Sequence, residues 1–257
     1  MKTFIITIFN LIACVTLVFG QHVHFTSSGV IEYQKTANMF AIMKRVYSTD
    51  MLGGLQQQIL DQYQKTNPQF KVTKSKLSFS DNKTLFTPIP VTGPVQSFTT
   101  PFAEQINTIY TDFNTSSTVT EKNILDSYVL VKDSLRRIKW KITGETRDIA
   151  GYPCRRADGL VLDSVYIVAF YTDKIPVSGG PESLNGLPGM ILQAQLKYEN
   201  ITWIATNVTE LEVQAGTIVP PKKGKVMTPK QLVDFGKSLF GKQLDARTSM
   251  MIRGLMF

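Results

Sequence analysis

Few side chains in this 257-residue chain could carry out chemistry, and they are scattered. Cys154 is a candidate nucleophile, since a thiolate attacks electrophiles once a base has taken its proton. Its natural partner would be a histidine, but both histidines, His22 and His24, lie far away near the N-terminus. Alternation along a strand puts His22 and His24 on one face, a spacing that suits a soft divalent metal. No cysteine or carboxylate lies beside them to complete a site, so a frayed, solvated terminus is expected. Serines and carboxylates are plentiful, yet no spacing singles any of them out. Phosphate-cradling glycine loops, zincin helices, nucleophile elbows and paired-cysteine metal motifs are all missing from the sequence. The expectation is no catalytic residue, no metal and no cofactor.

The most constrained stretch runs from Ile175 to Leu192. Pro176, Pro181 and Pro188 each fix φ and remove a backbone donor, and each pushes the preceding residue towards extended geometry. Gly180, Gly186 and Gly189 stand where a tight path needs unusual backbone angles or close approach. Apolar Leu187, Met190 and Ile191 are interleaved with them and give the loop something to bury. A long irregular connection of this composition is expected to be a rigid, largely buried corner, or else a recognition surface.

The run Gly186-Leu187-Pro188-Gly189-Met190-Ile191-Leu192 resembles the signature of the GLPGLI family of Bacteroidetes envelope proteins. Met190 stands where that family usually has leucine. Upstream, Trp140, Thr146, Ile149-Ala150-Gly151-Tyr152, Cys154 and Ala157 resemble the family in order, as do Ala169-Phe170-Tyr171-Thr172, Ile175-Pro176 and Gly180-Pro181. Phe170 replaces an expected tryptophan. The similarity covers residues 140–192 and is loose elsewhere. It implies a periplasmic or envelope protein and no particular activity, because the family has no established one.

The N-terminus reads as a leader. Lys2 is followed by an almost wholly apolar run from Phe4 to Phe19, and Val18 and Gly20 occupy the positions a signal peptidase reads. Residues 1–20 are therefore expected to be a signal peptide, with a periplasmic or secreted chain starting at Gln21. The alternative is a lipoprotein, since Leu11-Ile12-Ala13-Cys14 resembles a lipobox; however, the apolar run continues past Cys14. With the leader removed, Cys154 is left unpaired and should be buried in a strand.

The rest, 43% hydrophobic and 19% charged, is enough for one sizeable core, so residues 21–257 are expected to form a single domain. Period-two patterns predict strands near 28–35, 70–73, 77–79, 84–86, 107–111, 117–122, 128–131, 138–142, 165–171, 190–196 and 201–205. Ser80 to Lys83 reads as a hairpin turn. Leu55, Ile59, Leu60 and Tyr63 predict a helix over 54–65. Residues 87–103 read as an irregular surface loop, and Pro220 to Lys225 as a solvated run. Thr228-Pro229-Lys230-Gln231 is a capping box that opens a helix in a C-terminal extension, 220–257. The apolar end, Met250 to Phe257, should dock or fray. Strands outnumber helices without βαβ alternation, so the expected class is α+β: a curved, mainly antiparallel sheet with a few flanking helices, similar to bacterial lipoprotein-carrier folds.

The net charge of +8 falls to +7 when Lys2 leaves with the leader. Lys132, Arg136, Arg137, Lys139, Lys141, Arg147, Arg155 and Arg156 concentrate it, interspersed with Asp133, Glu145 and Asp148. A solvated mixed face is expected, with weak contact to an anionic membrane or polymer surface as the functional alternative. Nucleic acid is not an expected partner of an exported protein. Three functional classes remain: a non-enzymatic envelope accessory or binding protein with an unknown envelope partner, a carrier of a lipid or other apolar ligand, and a hydrolase using two carboxylates. Edman sequencing of the mature protein should begin at Gln21; a diacylated Cys14 would replace the soluble assignment.

Overall fold

The computed structural model describes residues 25–47, 55–90, 103, 105–162, 164–214, 216–241 and 246–257. The leader, Cys14, His22, His24 and most of the 87–103 loop fall outside these residues. The described chain is built on one twelve-stranded sheet. Its first strand, β1 (Gly29–Asn38), alternates buried and half-buried residues without a break, so Ile31, Tyr33, Lys35 and Ala37 all face inward. Asn38 ends the strand and caps α1 (Met39–Val46), its side chain accepting from the Ala41 N–H at 3.2 Å. The second helix is α2 (Leu55–Thr66).

The remaining strands are β2 (Phe70–Ser80), β3 (Lys83–Ile89), β4 (Asn107–Asp112), β5 (Ser117–Ile124), β6 (Ser127–Ser134), β7 (Lys139–Ile149), β8 (Tyr152–Val161), β9 (Val165–Thr172), β10 (Met190–Leu196), β11 (Ile201–Glu210) and β12 (Lys225–Met227). Two helices end the chain: α3 (Pro229–Phe240), which carries the expected capping box at Thr228 and Gln231, and α4 (Ala246–Met256). In space the strand order is β12-β6-β5-β4-β3-β2-β1-β11-β10-β9-β8-β7. Every neighbouring pair is antiparallel except β12 and β6, which run parallel.

Three hairpins turn on residue pairs that both have positive φ: Asp81 and Asn82, Leu125 and Asp126, and Ala150 and Gly151. This is the turn whose twist matches that of the strands it joins. The sheet coils so far that β7 comes back against β11. Its inner face carries Ile31, Leu77, Phe79, Ile109, Ile167 and Trp203, each at most 1% exposed.

The α+β expectation is corrected here. Among the described residues strands hold 48% and helices 20%, which makes this a strand-dominated, sandwich-like fold and not a carrier-type sheet with helices as a second layer. The reason lies in the filling. Most of the core cluster comes from the strands and a loop, to which α1 adds Met39, Ile42 and Val46 and the C-terminal end adds Met250 and Phe257, so no full helical layer is needed. Local differences follow the same logic. The stretch from Met39 is helical because Met39, Ile42, Met43 and Val46 recur on one face. Residues 70–80 form one continuous strand, and β12 begins at Lys225, the last residue of the run expected to be solvated, and covers the edge of β6.

The filling loop is the segment between β9 and β10. Ile175, Val177, Leu184 and Leu187 are each at most 3% exposed. The loop holds its own backbone: Met190 N–H donates to Ile175 O (3.1 Å), Ile191 N–H to Gly179 O (2.9 Å) and Gly189 N–H to Leu187 O (2.8 Å). Ser178 Oγ donates to Leu187 O at 2.7 Å. Gly189 closes it at φ 142°, and a Cβ there would lie 2.0 Å from Thr172 O. Replacing Gly189 by valine should cost about 1–3 kcal/mol from the backbone strain alone. Each kcal/mol lowers the melting temperature by roughly 2–4 °C in a chain of this size. Ser183→Ala should shift it far less; thermal denaturation followed by circular dichroism compares the two.

Candidate functional site

The signature residues do not form one cluster. Trp140 on β7 does reach the loop: its Nε1–H donates to Asn185 O at 2.9 Å, beside Gly186 (φ 93°). Its ring lies in the notch left by Gly159, where a Cβ would come within 2.7 Å. Tyr171 is buried at the end of β9, just before the loop. Pro181 is buried, whereas Pro176 and Pro188 are exposed at the loop's bends, and Gly180 packs on Ile191. Ile191 lies at an irregularity in the β9–β10 ladder, and its carbonyl accepts from the Tyr33 hydroxyl at 2.6 Å. Gly151 and Tyr152 sit apart, at the β7–β8 turn, where the Tyr152 hydroxyl meets Thr26 Oγ1 at 3.1 Å.

Cys154 is fully buried, its Sγ–H donating to Tyr152 O at 3.4 Å. Burial, and secondarily the charge of Asp148, push its thiol up to about 12. The thiolate needed for nucleophilic attack is therefore negligible at neutral pH.

The polar chemistry of the interior comes from residues that sequence reasoning did not select. Glu182, inside the loop, takes a left-handed backbone (φ 54°), which is unfavourable for a residue with a Cβ. Its side chain enters the core at 6% residue exposure. There Oε2 accepts from Asn107 Nδ2 at 2.9 Å, and Oε1 lies 3.9 Å from Lys35 Nζ. Asn107 Oδ1 in turn accepts from Lys122 Nζ at 3.1 Å. Lys35 also stands 5.1 Å above the Trp203 ring, which stacks on Phe257 at 5.7 Å. A signal for these residues existed in strand parity. Lys35 shares the face of Ile31 and Tyr33, and Lys122 shares that of Ile124, so each lysine interrupts a buried stripe.

Lys122 lines a pocket of about 50 Å³ between β4–β6, the loop and the C-terminal helices. Thr118 and Thr120 line one wall, and Thr111, paired with Thr118 across the ladder, continues it. Arg136 stands on another wall, with Asp133 at the mouth. Burial, opposed by the charge of Glu182, lowers the Lys122 ammonium to about 7. Burial also lowers Arg136, to about 10. The lining mixes these polar and cationic groups with apolar Val131, Leu135, Leu232, Met256 and Phe257, and can hold a small group by hydrogen bonds and charge.

A second polar surface lies on the outer face of β7–β9. Tyr166 and Tyr198 meet edge to face with ring centroids 6.4 Å apart, and Tyr198 is 70% exposed. Arg156 bonds Asp158 (2.9 Å) and Glu145 (2.7 Å), and Glu145 also takes Arg147 (3.0 Å). The Arg147 guanidinium covers the Phe170 ring at 3.7 Å. The basic run from Lys132 to Arg156 thus divides: Arg136 points inward, while Arg147 and Arg156 join a mixed outer network. Among the described residues no group of three or more His, Cys, Asp or Glu side chains could hold a metal ion.

The fold defines a domain built on one large, mainly antiparallel sheet. Residues 91–228 match the family described as N-glycanase peptide, N-terminal domain, and the chain belongs to that family. This family, and not the GLPGLI family that residues 140–192 resemble, is the one the match supports. A structure of PNGF-II in the P21 space group superposes with a TM-score of 0.51 at 18% identity, covering 81% of this chain and 33% of that one. A second, in the C2 space group, gives 0.51 at 15% identity and covers 88% and 33%. The chain therefore spans about a third of the length of these solved structures. No curated protein matches.

Glu182→Ala removes the carboxylate that faces two buried lysines. Breaking such a buried pair should destabilise by about 3–5 kcal/mol, seen as a lower urea midpoint. An unchanged midpoint would show that Glu182 does not bind the loop to the sheet.

Proposed function

We propose that this chain is a non-enzymatic, exported accessory domain that binds the glycan of a glycoprotein. The observation that carries the reading is the family: the match is to the N-terminal domain of an N-glycanase, at residues 91–228. The outer face gives such a ligand a place. Sugars present apolar C–H faces to aromatic rings and hydroxyls to planar charged groups, and tyrosine offers an apolar body with a polar tip. Tyr166, Tyr198, Arg156 and Asp158 supply these elements side by side. The resemblance of residues 140–192 to GLPGLI proteins supports the periplasm or cell envelope as its location. The remaining cationic residues of this face allow weak contact with anionic envelope polymers.

The other two classes have less behind them. An apolar-ligand carrier needs an open apolar cavity, whereas the loop from Ile175 to Gly189 fills the inner face and the pocket, at about 50 Å³, is too small for a lipid chain. A carboxylate-dependent hydrolase needs two acids free at one place, whereas the pocket lining carries a single one, Asp133, and the outer-face pair, Glu145 and Asp158, is engaged by Arg156. Titration calorimetry of the purified chain with an N-glycosylated peptide should show saturable binding that Tyr198→Ala weakens severalfold. Mass spectrometry of the same mixture should show the glycan still attached. No binding to any N-glycan tested, or release of the glycan, would refute the proposal.

A further inference from the structure

We infer that the inner pocket is a binding site for a small carboxylate, held by Lys122 and Arg136. This goes beyond the glycan reading and stands whichever way that test falls. The pocket, at about 50 Å³, exceeds the roughly 10–15 Å³ that a single water needs, so it takes a group of a few heavy atoms and not a lipid chain. Lys122 is 3% exposed, and its hydrogen bond goes to a neutral acceptor, the Asn107 amide oxygen. An ammonium has three donors, and one of them is used in that bond. Arg136 Nη2 donates to Met256 O at 2.5 Å, while its Nη1 is sealed from solvent without a hydrogen-bond partner. A buried guanidinium donor left open is costly, and an oxyanion is the acceptor that such a fork recognises best.

The surrounding residues point the same way. The Thr120 hydroxyl lines the same pocket and can donate to a carboxylate oxygen, whereas those of Thr118 and Ser183 already donate to Tyr110 O (3.0 Å) and Phe257 O (3.4 Å). The charged groups around Lys122 are Glu182 from the loop, Lys35 from β1 and Arg136 from the segment after β6. Glu182 is itself held by Asn107 and Lys35, and Asp133 is exposed. A bound carboxylate would favour the protonated lysine, so binding should weaken as pH rises through about 7, the value to which burial lowers Lys122.

The test titrates the full chain with acetate, glucuronate, N-acetylalanine and glucose, followed by calorimetry and by the NMR signals of the lysine ammonium groups. Acetate should bind saturably and shift Lys122, with affinity at least tenfold lower in Lys122→Met and in Arg136→Gln. It should be unchanged in Lys132→Met, which alters an exposed lysine on β6. Tighter binding of glucuronate would identify an acidic sugar as the source of the carboxylate, and tighter binding of N-acetylalanine a peptide terminus; both uphold the site. Failure of acetate to saturate the native chain overturns the proposal. So does equal binding of glucose and acetate, or acetate binding that survives Lys122→Met in a protein with a native melting curve. If Lys122→Met does not fold, Arg136→Gln carries the same comparison.

Discussion

The carboxylate of Glu182 is the interaction on which the interior depends. It reaches from the loop into the core and meets Asn107 of β4 and Lys35 of β1, two strands separated in the sheet by β2 and β3. A charged group in this setting is tolerated only when paired and hydrogen-bonded. Glu182 is both, and Asn107 passes the connection on to Lys122 of β5. One side chain therefore ties the loop to both the middle and the outer strands of a curled sheet. The left-handed backbone at Glu182 is the local cost of aiming it inward.

The sheet itself answers a geometric problem. Twelve strands in one open sheet twist strongly, and such sheets curl or fold on themselves. Curling here brings β7 towards β11 and encloses an interior. The proline- and glycine-rich loop fills that interior, and Gly189 lets its end pass within contact of the Thr172 carbonyl. The two sheet edges are protected in different ways. At one, β12 spans three residues. At the other, β7 carries Lys139, Lys141, Glu145 and Arg147 in exposed positions.

The pocket and the outer tyrosine face are products of the same construction. Inward parity on β5 places Thr118, Thr120 and Lys122 in one line beneath the C-terminal helices, where the docked chain end, Met256 and Phe257, closes the space. Outward parity on β8 and β9 sets Arg156, Asp158 and Tyr166 on the opposite side. Polar residues thus serve both faces of a sheet whose centre is apolar.

Local chemistry alone determined much of this. Alternation marked nearly all the strands, the Thr228 capping box marked α3, and the spacing of prolines and glycines marked the loop from Ile175 to Gly189 as constrained. These are short-range properties, set by backbone angles and side-chain period. The sequence also held, unread, the inward parity of Lys35 and Lys122. What only the tertiary structure decided was how distant strands share one interior. The dominance of the sheet over its helices, the loop as filling, and the meeting of Glu182 with Asn107 and Lys35 all follow from long-range packing. Charged residues on a buried face look like exceptions when each strand is read by itself. Their partners come from strands and loops far along the chain, and only the folded sheet brings them within bonding distance.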